Sequence, residues 1–160
     1  MIDKIVLLAE DDPDHEALLR RAVSQSGIPC RLDVVHDGTE VIEYLFCTGR
    51  FADRKSQDPP SLILLDLKMP KMDGHQVLQV LRRVRGNDNT RFAPVVILTC
   101  SENDHDIVEA YRLGAQSYLC KPLDYPAFAE TVAETLHYWL RLNRSAPKHH
   151  LGVYAIHEGL

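Results

Sequence analysis

Four stretches of the chain run from apolar residues into side chains that could do chemistry together. Glu10-Asp11-Asp12 follows the run beginning at Lys4, Asp66 closes Leu62-Ile63-Leu64-Leu65, Thr99 closes Val95-Val96-Ile97-Leu98, and Lys121 follows Tyr118-Leu119-Cys120. Carboxylates crowded into one pocket repel, and one of them is driven to take up a proton unless a cation intervenes. Oxygen ligands of this kind suit a hard cation such as Mg2+, which keeps several waters and is satisfied by few carboxylates plus a phosphoryl oxygen. Lys121 adds a mobile positive charge suited to pairing with a phosphoryl oxygen, and Thr99 can donate a hydrogen bond to another. A carboxylate can itself attack phosphorus to give an acyl phosphate, with positioning, Mg2+ and lysine supplying most of the catalysis. Asp66 is the candidate nucleophile, because a carboxylate in so apolar a run is otherwise expensive to bury. The set lacks an obvious base for rapid hydrolysis.

These residues converge only if their runs lie side by side. The sequence predicts strands over 4–9, 31–36, 61–66, 94–99 and 116–120, several of them continuous in Val, Ile and Leu, as parallel strands covered on both faces require. Helical spacing fills the intervals. One helix opens at Asp12-Pro13, a cap followed by a proline at the first turn. Others run over about 39–47 and 75–85, and a fourth carries Ile107 and Tyr111 before a stop at Gly114. The last places Phe128, Val132, Leu136 and Trp139 on one face and continues to about Asn143. Asp37-Gly38 and Asp73-Gly74 each precede a helical pattern, so they read as strand-to-helix turns and not as hairpins. Five strands alternating with five helices specify a doubly wound α/β fold with right-handed crossovers and helices on both faces. Ligands of such sheets sit at the carboxyl ends of the strands, where the chemistry-bearing residues fall.

Composition narrows the function. The chain has 160 residues, 45% hydrophobic and 26% charged, with a formal net charge of -5 and a pI near 5.9, which argues against a chain-wide electrostatic footprint for nucleic acid. Cys30, Cys47, Cys100 and Cys120 form no Cys-x-x-Cys pair and read as buried, reduced thiols. No apolar run approaches the roughly 20 residues of a membrane span, and 5–9 is too short for a signal-peptide core, so a cytoplasmic location is expected.

Together the residues resemble the receiver domain of two-component response regulators. The resemblance rests on Glu10-Asp11-Asp12-Pro13, Leu64-Leu65-Asp66-Leu67 with Met69-Pro70 and Asp73-Gly74, Leu98-Thr99, and Lys121-Pro122, and covers about residues 3 to 143. It implies a flavodoxin-like sheet of strand order 2-1-3-4-5. It also implies that Asp66 accepts phosphate from a histidine kinase's phosphohistidine. Asp11, Asp66 and the backbone carbonyl of Lys68 would hold Mg2+, with Glu10 helping through water, while Thr99 and Lys121 grip the phosphoryl group. By the same resemblance Lys121-Pro122 is a cis peptide, and Tyr118 is a switch aromatic that rotates inward as Thr99 moves. Asp37-Gly38-Thr39-Glu40, Tyr44-Leu45, the loops over 49–60 and 85–94, and Tyr138-Trp139-Leu140 are similar to response regulators paired with phytochromes, red-light photoreceptor kinases. Three departures are mild: Glu10 replaces the commoner aspartate, Cys100 stands where a small residue is usual, and Leu123 where an aromatic is frequent.

The sequence thus divides into a receiver domain over 1–143 and a tail over 144–160. The tail is too short for an effector domain, so the expected output is a changed surface. Leu151, Val153, Tyr154 and Ile156 suit it either to an arm exchanged in a homodimer or to packing on its own domain. His149, His150 and His157 match no standard metal spacing and read as exposed tail residues. Two functions stay open: a phosphorylation-driven binding switch, or a phosphate sink or relay intermediate without a dedicated target.

Overall fold

The computed structural model describes residues 4–54, 58–84 and 93–145. Most of the 85–94 loop and all of 146–160, with the expected arm and its three histidines, lie outside the described residues. The strands are β1 (Ile5–Ala9), β2 (Arg31–Val35), β3 (Leu62–Leu65), β4 (Val95–Thr99) and β5 (Ser117–Cys120). They form one sheet in the order β2-β1-β3-β4-β5, every pairing parallel. The helices are α1 (Pro13–Gln25), α2 (Gly38–Phe46), α3 (Gly74–Arg83), α4 (Asp104–Arg112) and α5 (Tyr125–His137). Each predicted element is present within two or three residues of its expected place.

The side-chain alternation of a strand sorts the sheet into two cores. Leu7, Ala9, Ile63, Leu65, Val95 and Ile97 face α2, α3 and α4, while Val6, Leu8, Leu62, Leu64, Val96 and Leu98 face α1 and α5. The three central strands are therefore buried at every position, and edge strands β2 and β5 only partly. On the second face α1 and α5 lie together. Arg21 stacks over the Tyr125 ring at 4.2 Å, and the Tyr125 hydroxyl donates to Gln25 Oε1 at 2.7 Å.

Short polar devices start the helices. Asp12, Asp37, Asp73, Asn103 and Asp124 each cap one, and Asp73 and Gln76 form a reciprocal capping box. The turn reading of both Asp-Gly pairs is thereby confirmed. Gly74 has a further reason to be glycine: a Cβ there would stand 2.6 Å from the carbonyl oxygen of Asp66. Backbone contact at this point presses α3 against the end of β3.

Three expectations change. The Lys121–Pro122 peptide is trans; the trans form is intrinsically preferred, and it already lets the lysine reach its carboxylate partners. After His137 the last helix widens into a π-helical turn, Tyr138–Leu142, which puts Leu140 at 3% exposure while Trp139 is only partly buried. The Lys4 ammonium bonds the Leu140 carbonyl there. The cysteines form no disulfide, but none is fully buried: Cys30, Cys47 and Cys120 are half-buried, and Cys100 is exposed where the chain leaves β4. Tyr111 is half-exposed, and Ala110 is the buried residue of α4.

Candidate functional site

The parallel arrangement delivers one residue from each of four strands to the same edge. Glu10 lies just beyond β1, Asp66 just beyond β3, Thr99 ends β4, and Lys121 lies just beyond β5. Backbone bonds hold them in register: the amide of Glu10 donates to Val35 (3.0 Å), that of Asp66 to Ala9 (3.1 Å), and that of Lys121 to Thr99 (2.8 Å). Glu10, Asp66 and Thr99 are buried, and the Lys121 side chain is 5% exposed. Above them opens a cavity of about 270 Å3 lined by Glu10, Asp11, Asp66, Lys68, Thr99 and Ser101, among others.

Lys121 is the hub. Its ammonium has three N–H donors and no acceptor, and it bonds three groups: the Glu10 carboxylate, Asp66 Oδ2 at 3.0 Å and His15 Nδ1 at 3.0 Å. The ligand atoms of Glu10, His15 and Asp66 are close enough together to hold a metal ion, but the ammonium sits among them, and an ion on all three would have to displace it. The oxygens facing the open cavity, from Asp11, Asp66 and the Lys68 segment, suit a hard cation better.

This geometry pushes the two buried carboxylates apart. Burial raises Glu10 above the ordinary glutamate value, and the charge of Asp66 adds to that, against the pull of Lys121. Burial would raise Asp66 too, but the Lys121 charge and hydrogen bonds from Glu10, Lys121 and Thr99 outweigh it and hold Asp66 below the ordinary aspartate value. Lys121 is favoured in its charged form because Asp66 and Glu10 more than offset its desolvation. Two carboxyl groups side by side thus differ: the charged form is favoured at Asp66 and disfavoured at Glu10.

The sequence-predicted residues are nearly all brought together. Asp11 lines the cavity and is exposed; Asp12 is chiefly the α1 cap, accepting from the amides of Asp14 and His15. Tyr118 is partly buried on β5, packed on the α2–α4 side of the sheet, with its hydroxyl donating to the Ser101 carbonyl at 2.9 Å. Leu123 is fully exposed. Two residues escaped the sequence reading. His15, in the first turn of α1, looks like any polar helical residue; the clue was that the first turn after a strand end must overhang that end. Ser101 is a junction: its amide donates to Thr99 Oγ1 (3.4 Å), its hydroxyl to Asp106 (2.6 Å), and its carbonyl accepts from Tyr118. Thr99 and Tyr118 are therefore both hydrogen-bonded to one loop residue.

A doubly wound sheet carrying an aspartate, acidic neighbours, a threonine and a lysine at its strand ends is the arrangement of a receiver domain. The sequence profile of the response regulator receiver domain matches residues 6–133, and the chain belongs to that family. The chain is 39% identical to a probable methanogenesis regulatory protein, FilR2, of Methanothrix harundinacea, over 88% of this chain and 86% of that one. It is 31% identical to response regulator Rcp1 of Synechocystis over 86% and 89% of the two chains. The Mn2+-bound form of Rcp1 aligns with a TM-score of 0.77 over 90% of this chain and 99% of that one, at 30% identity. The phosphorylated cyanobacterial phytochrome response regulator RcpA aligns at 0.79, with 30% identity over 91% and 100%. Among the described residues no helix is long and apolar enough to cross a membrane.

Proposed function

We propose that this chain accepts a phosphoryl group from a histidine kinase onto Asp66, with Mg2+, and responds by changing its interaction surface. The observation that carries the reading is the setting of Asp66, a buried carboxylate with an ammonium at 3.0 Å and an acidic cavity in front of it. An oxygen of Asp66 forms the new bond to phosphorus as the bond to the phosphohistidine nitrogen breaks, and the imidazole leaves. Lys121 and the Thr99 hydroxyl meet the charge that accumulates on the equatorial oxygens. Asp11, Asp66 and the Lys68 carbonyl would hold Mg2+, with Glu10 acting through water. The cation would supply the neutralisation that lets an anionic donor approach three carboxylates.

The switch proceeds through Thr99. As Thr99 is drawn toward the phosphoryl group, the long bond from the Ser101 amide lengthens further, and the Ser101 carbonyl shifts the Tyr118 hydroxyl that it holds. The face of α4, β5 and α5 then presents a different surface. Similarity to RcpA and Rcp1 supports a phytochrome-type kinase as donor, working in the cytoplasm. Exposed Tyr138 and Leu142 at the end of the last helix support a homodimer there.

The test is labelling by acetyl phosphate with Mg2+, run on the wild type and Asp66→Asn. Label on the wild type only, abolished by chelation, is the expected result; equal label on both proteins would reject Asp66 as acceptor. A long-lived aspartyl phosphate supports the switch, and a lifetime of seconds would favour a sink instead. Light-dependent transfer from a purified bacteriophytochrome kinase tests the donor, and sedimentation of the full chain tests the dimer.

A further inference from the structure

We infer that His15 is a positioning residue for Lys121, a hydrogen-bond acceptor that steadies the ammonium without cancelling its charge. The inference rests on the reading of Asp66 as phosphoacceptor and extends it to a residue on a different element. His15 is the third residue of α1, with its side chain 35% exposed. Its Nδ1 lies 3.0 Å from Lys121 Nζ. An ammonium can only donate, so Nδ1 accepts and the ring proton belongs on Nε2. Nε2 lies 3.8 Å from Asp12 Oδ2. The same aspartate caps the helix by accepting from the His15 amide, which fixes the turn carrying the imidazole.

The three acceptors around Lys121 are not equivalent. Asp66 gives an oxygen to phosphorus during the reaction, and Glu10 belongs to the acidic set that would face a divalent cation. Both carboxylates also neutralise the ammonium while they hold it. His15 does neither: it keeps one hydrogen bond throughout, and it leaves the full positive charge for the phosphoryl oxygens. Packing of α1 on α5 makes the hold firm, because Lys121 stands only four residues before Tyr125, which is tied to α1 through Arg21 and Gln25. The imidazole and the ammonium are therefore carried on two elements locked to each other.

Two substitutions of similar reach separate this role from simple packing. His15→Leu removes the acceptor, and His15→Asn places an amide oxygen where Nδ1 was. With the full chain, acetyl phosphate as donor and saturating Mg2+, His15→Leu is expected to lower the limiting labelling rate about tenfold, the effect of one hydrogen bond to a charged group. The half-saturating donor concentration should move by less than about twofold, since the loss falls on the transition state. His15→Asn should recover most of the rate. In parallel, 15N-edited NMR of the Lys121 ammonium should show its resonance displaced or lost in His15→Leu and restored in His15→Asn, with other amides unmoved as evidence of folding. Wild-type rates in His15→Leu would overturn the inference, as would equal loss in both variants. If the wild type takes no label at all, the Asp66 reading has failed, and the NMR comparison alone decides: an unchanged Lys121 resonance in His15→Leu overturns the positioning role.

Discussion

Lys121→Met is the most informative perturbation of the pocket, because it keeps the packing of the stem and removes only the ammonium. At 3.0 Å, with an effective dielectric near 20, the Asp66 contact is worth about 5–6 kcal/mol of gross Coulomb energy. The net loss must be smaller, since desolvation of the ammonium is relieved and a stranded carboxylate can take up a proton. For a carboxyl group of ordinary value 4.5, that proton costs about 3.4 kcal/mol at pH 7 but only about 1.4 kcal/mol at pH 5.5. Glu10, already raised by burial, is the group that takes it. Its folded pKa then stands further above its unfolded one, so its contribution is fully present below the unfolded value and is lost as pH rises through the folded value. The variant should therefore be destabilised by about 3–4 kcal/mol at pH 7, within the usual range for breaking a buried pair, and by only about 1–2 kcal/mol at pH 5.5. Urea denaturation of both proteins without divalent cation, at several pH values between those limits, gives the comparison directly. A deficit that stays constant with pH, or one below about 1 kcal/mol at pH 7, would refute the account of Lys121 as the cation that keeps both carboxylates buried.

Tyr44, 2% exposed and donating to Asp33 at 2.6 Å, is pushed up to about 12 chiefly by burial. Its neutral form stabilises the fold fully below the ordinary value of 10, and about 2–3 kcal/mol is lost as pH rises toward 12. Tyr44→Phe should thus be less stable than wild type at pH 7 and should overtake it in urea melts near pH 11.5; parallel curves would contradict the assignment. Gly74→Ala should cost about 2–3 kcal/mol in the same assay and slow labelling of Asp66, because the new methyl group meets the Asp66 carbonyl and the Leu67 backbone. A neutral effect would mean that α3 does not press on the end of β3. Leu140→Ala should cost about 2–5 kcal/mol and Trp139→Ala clearly less. The reverse ranking would count against the π-helical turn.

The sheet was readable because three central strands are apolar at every position, a pattern that only cover on both faces explains. The site was readable for a related reason: charged residues at the ends of such strands have no packing role to account for them. Elsewhere the sequence carried less. Trp139 continues the three-and-four spacing of α5, so spacing selected it; the turn that widens the helix and buries Leu140 has no local signature. His15 belongs to the polar side of an ordinary helical pattern, and only the seating of α1 beside α5 gives it a lysine partner. Ser101 lies in a loop, where two of its hydrogen bonds depend on Asp106 and Tyr118 arriving from elsewhere. The misses at His15 and Ser101 are contacts made between elements, whereas the strands and their charged ends are properties of one element alone.

The strand order also sets a sequence of events in the making of the chain. Synthesis runs from β1 to β5, and structure can form from the amino-terminal side as it emerges. Strands β1, β2 and β3 need nothing beyond Leu65 to pair, and their pairing already brings the ends that carry Glu10 and Asp66 side by side. Lys121, the cation that touches both, is translated 55 residues after Asp66 and lies beyond the outermost strand. A growing chain therefore holds its acids before it holds their counterion. Closing β5 onto β4 is in that sense an act of neutralisation as well as of packing, and it comes late.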